Sequence, residues 1–119
     1  MHRRPRRNRK NSVVRGHIRE THLHTENLIL PLFLTAGSDQ KVEVPSLPGN
    51  YRFSPDRLLA EIEECLELGL RSFVLFPAIE EHLKDREATH SWDAANVYLT
   101  TIRAVKERFP EACIVTDVA

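Results

Sequence analysis

The chain has 119 residues, about the length of one small domain, and 41% of them are hydrophobic and 29% charged. This composition, with only four glycines, excludes collagen-like and low-complexity proteins, and the apolar run over residues 28–36 is shorter than the roughly 18 residues that cross a membrane. The net charge is zero. Two cysteines 48 positions apart cannot form a disulfide scaffold, so the sequence predicts a reduced, cytoplasmic setting.

A basic arm precedes an acidic body. Residues 1–20 hold eight Lys or Arg and one acid, whereas the remaining 99 residues hold nine basic and sixteen acidic side chains. The early acids and the late apolar run argue against a secretory signal, and the scarcity of serine argues against a transit peptide. We predict that the arm, residues 1–27, docks on the acidic body of a neighbouring subunit. Nucleic acid is the alternative partner, but the arm lacks the interleaved aromatic residues of single-strand binders.

The first predicted element of the body is a strand over Leu28–Leu34. It is a short, continuous apolar run, which is typical of a strand buried on both faces. Pro31 has no backbone N–H to donate to a neighbouring strand, so it argues against a central position. We therefore expect this strand at an edge of the sheet.

The second predicted element is a helix that begins at Ser54-Pro55-Asp56 and ends before Gly69. Serine is a common N-cap, proline fits the first helical position, and glycine allows the left-handed stop. The apolar stripe of this helix comprises Leu58, Ile62, Cys65 and Leu66. The solvated face comprises Glu61, Glu63, Glu64 and Glu67.

The rest of the chain predicts a strand, a helix and a third strand. The strands are Ser72–Phe76 and Ala112–Val118, and the helix between them begins near Ser91 or Asp93 and ends at Pro110. The apolar stripe of this helix comprises Ala94, Tyr98, Ile102, Val105 and Phe109.

Buried strands that alternate with helices predict an α/β fold with a parallel sheet and right-handed crossovers. The links after Leu34 and Phe76 are long, about 19 and 16 residues, and functional sites in such folds lie at the carboxyl edge of the sheet. Three strands would leave both outer strands unpaired, which is an aggregation hazard. We therefore expect the chain to be the front part of a larger domain, and the isolated chain to aggregate or remain molten.

Several motifs, in this order and spacing, carry a resemblance to a known family. They are Arg3-Arg4-Pro5-Arg6-Arg7, Leu28-Ile29-Leu30-Pro31-Leu32-Phe33, Val44-Pro45-Ser46-Leu47-Pro48-Gly49, Leu75-Phe76-Pro77, Leu83-Lys84-Asp85, Arg108-Phe109-Pro110 and Thr116-Asp117-Val118-Ala119. The chain resembles the N-terminal third of porphobilinogen synthase, also called 5-aminolevulinate dehydratase.

The resemblance implies the first three strands and two helices of a TIM (β/α)8 barrel, here incomplete, behind an extended arm. It implies a lyase that condenses two molecules of 5-aminolevulinate to porphobilinogen in tetrapyrrole and heme biosynthesis. It also implies a homo-octamer in which each arm wraps a neighbour, and two lysines that form Schiff bases with the substrates. The lysines of this chain, Lys10, Lys41, Lys84 and Lys106, match neither position, so we expect the chain alone to be inactive.

Ala119 bears on the metal that the resemblance implies. It stands where zinc-dependent members have the first cysteine of a three-cysteine cluster, and alanine offers zinc no ligand. The resemblance therefore implies Mg²⁺ rather than zinc in the full-length protein. Cys65 and Cys113 do not replace the cluster, and we expect both in the core.

Two residues are the site candidates. Asp117 ends a strand at the carboxyl edge and matches the aspartate of the family's active-site motif, where it would help to hold substrate or metal-linked water. Capping of the next segment is the alternative role of this carboxylate. Phe76 matches a position that lines the family's substrate pocket, and core packing is its alternative role.

The remaining polar clusters predict no site. His22 and His24 lack a third metal ligand nearby, and the charged loop of Glu80, Glu81, His82, Asp85 and Glu87 is typical of solvated surface rather than of a general acid or base. Two other functions stay open: a non-catalytic remnant that docks into an oligomer, and a small RNA-associated module that uses the arm.

Overall fold

The computed structural model describes residues 6–117, so the predictions for Arg3, Arg4, Val118 and Ala119 lie outside the described residues. The α-helices are α1 (Ser12–His17), α2 (Pro55–Glu67) and α3 (Val97–Arg108). The strands are β1 (Leu30–Leu34), β2 (Lys41–Glu43), β3 (Tyr51–Phe53), β4 (Ser72–Pro77) and β5 (Cys113–Thr116). Short 3-10 helices cover Arg6–Arg9, Thr25–Asn27, Glu81–Leu83 and Thr89–Trp92.

The five strands form one sheet in the order β2-β3-β1-β4-β5. β1 pairs in parallel with β3 and with β4, and β4 pairs in parallel with β5. Only the pairing of β2 with β3 is antiparallel among the described strands. The predicted α/β class and the parallel arrangement of β1, β4 and β5 are therefore confirmed.

The edge position predicted for the first strand is wrong. The long link after Leu34 contains the short strands β2 and β3, which place β1 in the middle of the sheet. The connection between them is closed by hydrogen bonds, in which Val44 N–H donates to Asn50 C=O at 2.8 Å and Gly49 N–H donates to the Glu43 carboxylate at 3.0 Å. Strands of three residues are too short for an alternation pattern to reveal them.

Pro31 is accommodated in this central strand because β3 is short. Thr35, the residue after β1, donates its N–H to Phe53 C=O of β3 at 2.9 Å. Backbone groups alternate in direction along a strand, so the odd-numbered residues of β1, Pro31 among them, also direct their backbone groups toward β3. Pairing with β3 begins only at Phe33, whereas pairing with β4 already includes Pro31. The missing N–H of Pro31 therefore faces a position at which β3 offers no partner. Strand β1 also begins two residues later than predicted, and Leu28 and Ile29 are exposed.

Helix α2 has the predicted boundaries. Ser54 lies at the N-cap position, but its hydroxyl donates to the Asp56 carboxylate at 2.6 Å and accepts Gln40 N–H at 2.9 Å instead of binding a helix N–H. The hydrogen bond from Ser54 is the main cause that lowers the pKa of Asp56. These bonds tie the start of the helix to the segment before β2.

The end of α2 is a Schellman motif built on Gly69. Gly69 has φ +87°, its N–H donates to Leu66 C=O at 3.0 Å, and Leu70 N–H donates to Cys65 C=O at 3.0 Å. The left-handed stop predicted at this residue is therefore confirmed.

Substitution Gly69→Ala is expected to destabilise the chain by about 1–2 kcal/mol, because a Cβ makes the left-handed conformation unfavourable. Urea unfolding of the protein expressed from its complete reading frame, followed by circular dichroism, measures the change. Gly16→Ala is the control, since Gly16 lies in α1, has no positive φ and has open space around it. Equal stability of the two variants would contradict the prediction.

Helix α3 begins later than predicted. Its N-cap is Asn96, whose side chain accepts Leu99 N–H at 2.7 Å and donates to His90 C=O at 2.7 Å. The buried Asn96 thereby joins the helix to the 3-10 helix before it. The predicted starts at Ser91 and Asp93 are wrong because a better cap lies downstream. Ala94 consequently lies outside the helix and is exposed.

The core lies between one face of the sheet and helices α2 and α3. Its buried members are Leu32, Leu34, Phe53, Leu58, Ile62, Phe73, Leu75, Val105, Phe109 and Ala112.

Cys65 packs against this core as predicted. Burial, followed by the Glu61 and Glu64 carboxylates, raises the pKa of its thiol. Cys113 is exposed, so its prediction as a core residue is wrong. The neighbouring Ile114 takes the core-facing position, because successive strand residues face opposite ways.

The arm extends away from the body. The described arm residues are exposed except for Val14, which is half-exposed. The chain measures 68 × 30 × 25 Å with a radius of gyration of 20.5 Å, whereas a compact chain of this length has a radius of about 13–14 Å. The arm also contains α1, whose first turn is capped by the Asn11 side chain, which accepts Val14 N–H at 2.9 Å.

Candidate functional site

The carboxyl ends of β1, β4 and β5 meet at one edge of the sheet. Leu34 pairs with Pro77, and Leu75 pairs with Thr116, so Phe76 and Asp117 both lie at this edge. The segments that follow β1 and β4 extend from the same edge. The structure therefore brings both predicted site residues to the edge at which parallel α/β folds build their sites.

Phe76 belongs to an aromatic pair on the sheet face opposite the helices. It pairs in register with Phe33, and the two rings stack with their centroids 5.7 Å apart. The neighbours Leu32 and Leu75 are buried on the helix side, whereas Phe33 and Phe76 are half-buried. Phe76 therefore lies outside the core between the sheet and the helices, and both its predicted role in a substrate pocket and its alternative role in packing stay predictions.

Asp117 is exposed, and its backbone is held by a side chain. Its N–H donates to the Tyr98 hydroxyl at 3.1 Å, and that hydroxyl donates to Leu75 C=O at 2.9 Å. The residues that the Asp117 carboxylate could cap come next in the chain and lie outside the described residues. Its predicted role as an auxiliary catalytic group stays a prediction.

Tyr98 is the residue of this edge that sequence reasoning placed only on the apolar stripe of α3. Its ring packs against the core while its hydroxyl reaches the strand ends. Burial is the main cause that raises the pKa of this hydroxyl; the hydrogen bond from Asp117 N–H acts in the opposite direction, and the Asp117 carboxylate adds a smaller rise. The sequence signal for this contact was a tyrosine on an apolar stripe, because a tyrosine hydroxyl that is carried toward a core needs a hydrogen-bond partner there.

The charged loop after β4 is solvated, as predicted. Lys84 donates to Glu81 at 2.7 Å, and His82 lies 3.2 Å from Glu80. The Asp85 carboxylate accepts Thr89 N–H at 2.8 Å, and this bond is the main cause that lowers the pKa of Asp85. These contacts fold the loop on itself.

Three of the four lysines are bound to other groups of the chain. Lys41 contacts Glu61 at 3.7 Å and lies over the Tyr51 ring at 4.8 Å. Lys106 donates to Pro110 C=O at 2.8 Å and to Ala112 C=O at 2.7 Å, at the far end of α3. Lys84 is bound to Glu81 on the surface, and Lys10 is exposed in the arm.

The described residues do not supply a metal site. Within residues 6–117, no group of three or more His, Cys, Asp or Glu side chains is placed to hold a metal ion. His22 and His24 stack with ring centroids 6.0 Å apart on the exposed arm. In the same range, no helix has both the length and the apolar character needed to cross a membrane.

Comparison with known proteins identifies the family. A family model for delta-aminolevulinic acid dehydratase matches residues 2–119. The chain is 44% identical over 117 residues to the delta-aminolevulinic acid dehydratase of Chlamydia pneumoniae, covering 98% of this chain and 35% of that protein. It is 41% identical over 118 residues to the same enzyme of Ruminiclostridium josui, covering 99% of this chain and 57% of that protein.

The fold agrees with a solved structure of the same kind. The delta-aminolevulinic acid dehydratase (porphobilinogen synthase) of Toxoplasma gondii ME49, in complex with the reaction product porphobilinogen, superposes with a TM-score of 0.91 at 38% identity. All of this chain but only 34% of that chain is covered, so the chain spans about a third of the solved enzyme. The resemblance carried by the motifs is thus confirmed, and the chain belongs to the delta-aminolevulinic acid dehydratase family.

Proposed function

We propose that the chain supplies the N-terminal part of a porphobilinogen synthase, the lyase that condenses two molecules of 5-aminolevulinate to porphobilinogen. The observation that carries the proposal is the superposition on the Toxoplasma gondii enzyme, whose structure holds the product. The activity belongs to tetrapyrrole and heme biosynthesis. A cytoplasmic setting stays a prediction.

We further propose that β1, β4 and β5 are the first three strands of a TIM barrel and that residues 1–27 form a separate arm. Two features support the barrel: α2 and α3 cover only one face of the sheet, and the opposite face carries the apolar residues Phe33, Val74 and Phe76. In a closed barrel this second face points inward and is filled by side chains. Strand β5 would then pair with a further strand on its open side.

In this proposal the chain contributes binding and positioning groups and not the reacting amines. Phe76 would supply an apolar wall to the substrate, and the Asp117 carboxylate would accept hydrogen bonds from a substrate amine or from water. A Schiff-base lysine must lose its proton, which a desolvated site favours. The lysines of the described chain are exposed or bound to carboxylates and carbonyls, which supports inactivity of the chain by itself.

The metal proposal rests on the sequence alone. Ala119 argues for Mg²⁺ over zinc, since Mg²⁺ prefers oxygen ligands and zinc binds thiolates. The described residues lack the donor set of a cation site, so no step of the proposed chemistry is assigned to an ion.

Expression of the complete reading frame that contains these residues tests the proposed function. The purified protein from this reading frame, called the complete product below, is expected to form porphobilinogen from 5-aminolevulinate. A chain restricted to residues 1–119 is expected to form none. A product that joins an oligomer without turnover would favour the non-catalytic remnant. A product without turnover that binds RNA with a steep salt dependence would favour the RNA-associated module.

We propose that the arm joins subunits of a homo-oligomer, an octamer by resemblance. The arm exposes apolar side chains, with Val13 at 64%, Ile18 at 46% and Leu23 at 76% exposure, next to its arginines. Exposed apolar residues among cations suit a partner surface that is acidic and partly apolar, and the body of this chain has an excess of acids.

Deletion of residues 1–20 from the complete product is expected to lower its oligomeric state, because the arm contacts are lost. Light scattering after size-exclusion chromatography measures the change at physiological salt. Arg86→Ser, which removes an exposed cation of the body, serves as the control and is expected to change nothing. Assembly that is unaffected by the deletion would show that the arm is dispensable.

A further inference from the structure

Parallel strands of this sheet follow one rule of hydrogen bonding. A carbonyl accepts the N–H of the residue that follows its paired partner. Leu34 pairs with Pro77, and Ala78 N–H donates to Leu34 C=O at 2.7 Å. At the beginning of β5, Cys113 N–H likewise donates to Arg71 C=O at 2.8 Å. Both strand pairs that contain β4 therefore form direct backbone bonds where the sheet is regular.

The end of β5 departs from this rule. Leu75 pairs with Thr116, so the regular donor to Leu75 C=O would be Asp117 N–H. The Tyr98 hydroxyl instead stands between them: it donates to Leu75 C=O at 2.9 Å and accepts Asp117 N–H at 3.1 Å. A side-chain oxygen thus connects the two strand ends through two hydrogen bonds.

We infer that Tyr98 is a positioning residue for Asp117. Its ring is anchored in the core between α3 and the sheet, so the hydroxyl is held at a fixed point. By binding both Leu75 C=O and Asp117 N–H, the hydroxyl sets where the Asp117 backbone, and with it the carboxylate, lies at the carboxyl edge. Burial raises the pKa of Tyr98, which keeps the hydroxyl protonated and able to donate to Leu75 C=O.

The inference has a geometric and a catalytic part. The geometric part concerns only the described residues. The catalytic part rests on the proposed function, because it states that the position of Asp117 matters for turnover. Displacement of a reacting group by about 1 Å can cost on the order of 100-fold in rate.

Tyr98→Phe tests the geometric part, because it keeps the ring and removes the bridging oxygen. Tyr51→Phe is the matched control: Tyr51 also packs against the core, and its hydroxyl makes no hydrogen bond among the described residues. The backbone amide resonance of Asp117 and its hydrogen-exchange rate are measured in each variant of the protein expressed from the complete reading frame. We expect both to change in Tyr98→Phe and to stay at the wild-type values in Tyr51→Phe. An unchanged Asp117 amide in Tyr98→Phe overturns the inference.

The catalytic part is tested in the product of the complete reading frame. Tyr98→Phe is expected to lower kcat by about 10- to 100-fold with KM nearly unchanged, while Tyr51→Phe retains wild-type kinetics. The double variant Tyr98→Phe/Asp117→Asn is expected to be no slower than Asp117→Asn alone, because Tyr98 acts through Asp117. Additive losses, or a wild-type kcat in Tyr98→Phe, overturn the positioning role.

These outcomes separate the inference from the proposed function. If the complete wild-type product forms no porphobilinogen, the proposed function fails, and the catalytic part fails with it. The amide measurement then still decides whether Tyr98 sets the position of Asp117. If the product is active and only the Tyr98 results disagree, the proposed function stands and the inference is wrong.

Discussion

Replacement of Asp117 by asparagine in the complete product is expected to lower kcat for porphobilinogen formation by on the order of 100-fold, because it removes the negative charge with which the carboxylate would hold a substrate amine or a water in position. The folded structure is expected to survive, because the Asp117 side chain is exposed and the bond to Tyr98 uses its backbone. Exposed substitutions of this kind change stability by about 0.5 kcal/mol or less. Steady-state kinetics together with a thermal melt measure the two effects.

Asp93→Asn is the matched control for this variant. Asp93 is also exposed, and its carboxylate accepts Ala95 N–H at 2.9 Å, which an asparagine oxygen can do as well. Its kinetics are expected to equal those of the wild type. Full activity of Asp117→Asn would remove Asp117 from the proposed site, whereas a collapsed melting transition would assign it a structural role.

Replacement of Leu58 by alanine is expected to destabilise the complete product by about 2–5 kcal/mol. Leu58 lies in α2, is 0% exposed and belongs to the core between the helix and the sheet. Removal of its side chain loses the free energy of burial and leaves a cavity that the surrounding residues fill only in part. This cost is a large share of the roughly 5–15 kcal/mol that stabilises a typical domain.

Leu68→Ala provides the matched control, because it makes the same chemical change at the C-cap of the same helix. Leu68 is 78% exposed, so its truncation is expected to cost no more than about 0.5 kcal/mol. Urea unfolding followed by circular dichroism compares the two variants with the wild type. Similar midpoints for Leu58→Ala and Leu68→Ala would show that this helix is not packed as the structure has it.

Burial of β1 between two strands changes the reason to expect aggregation. The prediction that β1 has an unpaired edge is wrong, because β3 pairs with β1 and β2 pairs with β3. On the other side, β5 has no neighbour among the described strands, and Val115 is 40% exposed. Aggregation of the isolated chain stays a prediction, and it now depends on this one edge and on the apolar face that holds Phe33 and Phe76.

Local chemistry by itself determined much of this protein. The strands β1, β4 and β5 follow from continuous apolar runs, and α2 follows from Ser54, its apolar stripe and Gly69, because caps, stops and hydrophobic periodicity act over a few residues. The parallel order then placed Phe76 and Asp117 at one edge. The family motifs, read in order, were likewise present in the sequence.

Tertiary structure alone decided the remaining features. The pairing of β3 with β1 joins short segments whose own pattern is too brief to predict a strand, and it depends on the neighbour that each segment finds. Asn96 became the start of α3 because its side chain also reaches His90 C=O. The bridge from Tyr98 to Asp117 joins residues 19 positions apart, and no local propensity records which carbonyl and which amide a buried hydroxyl will meet. Such contacts exist only once the helix has packed on the sheet.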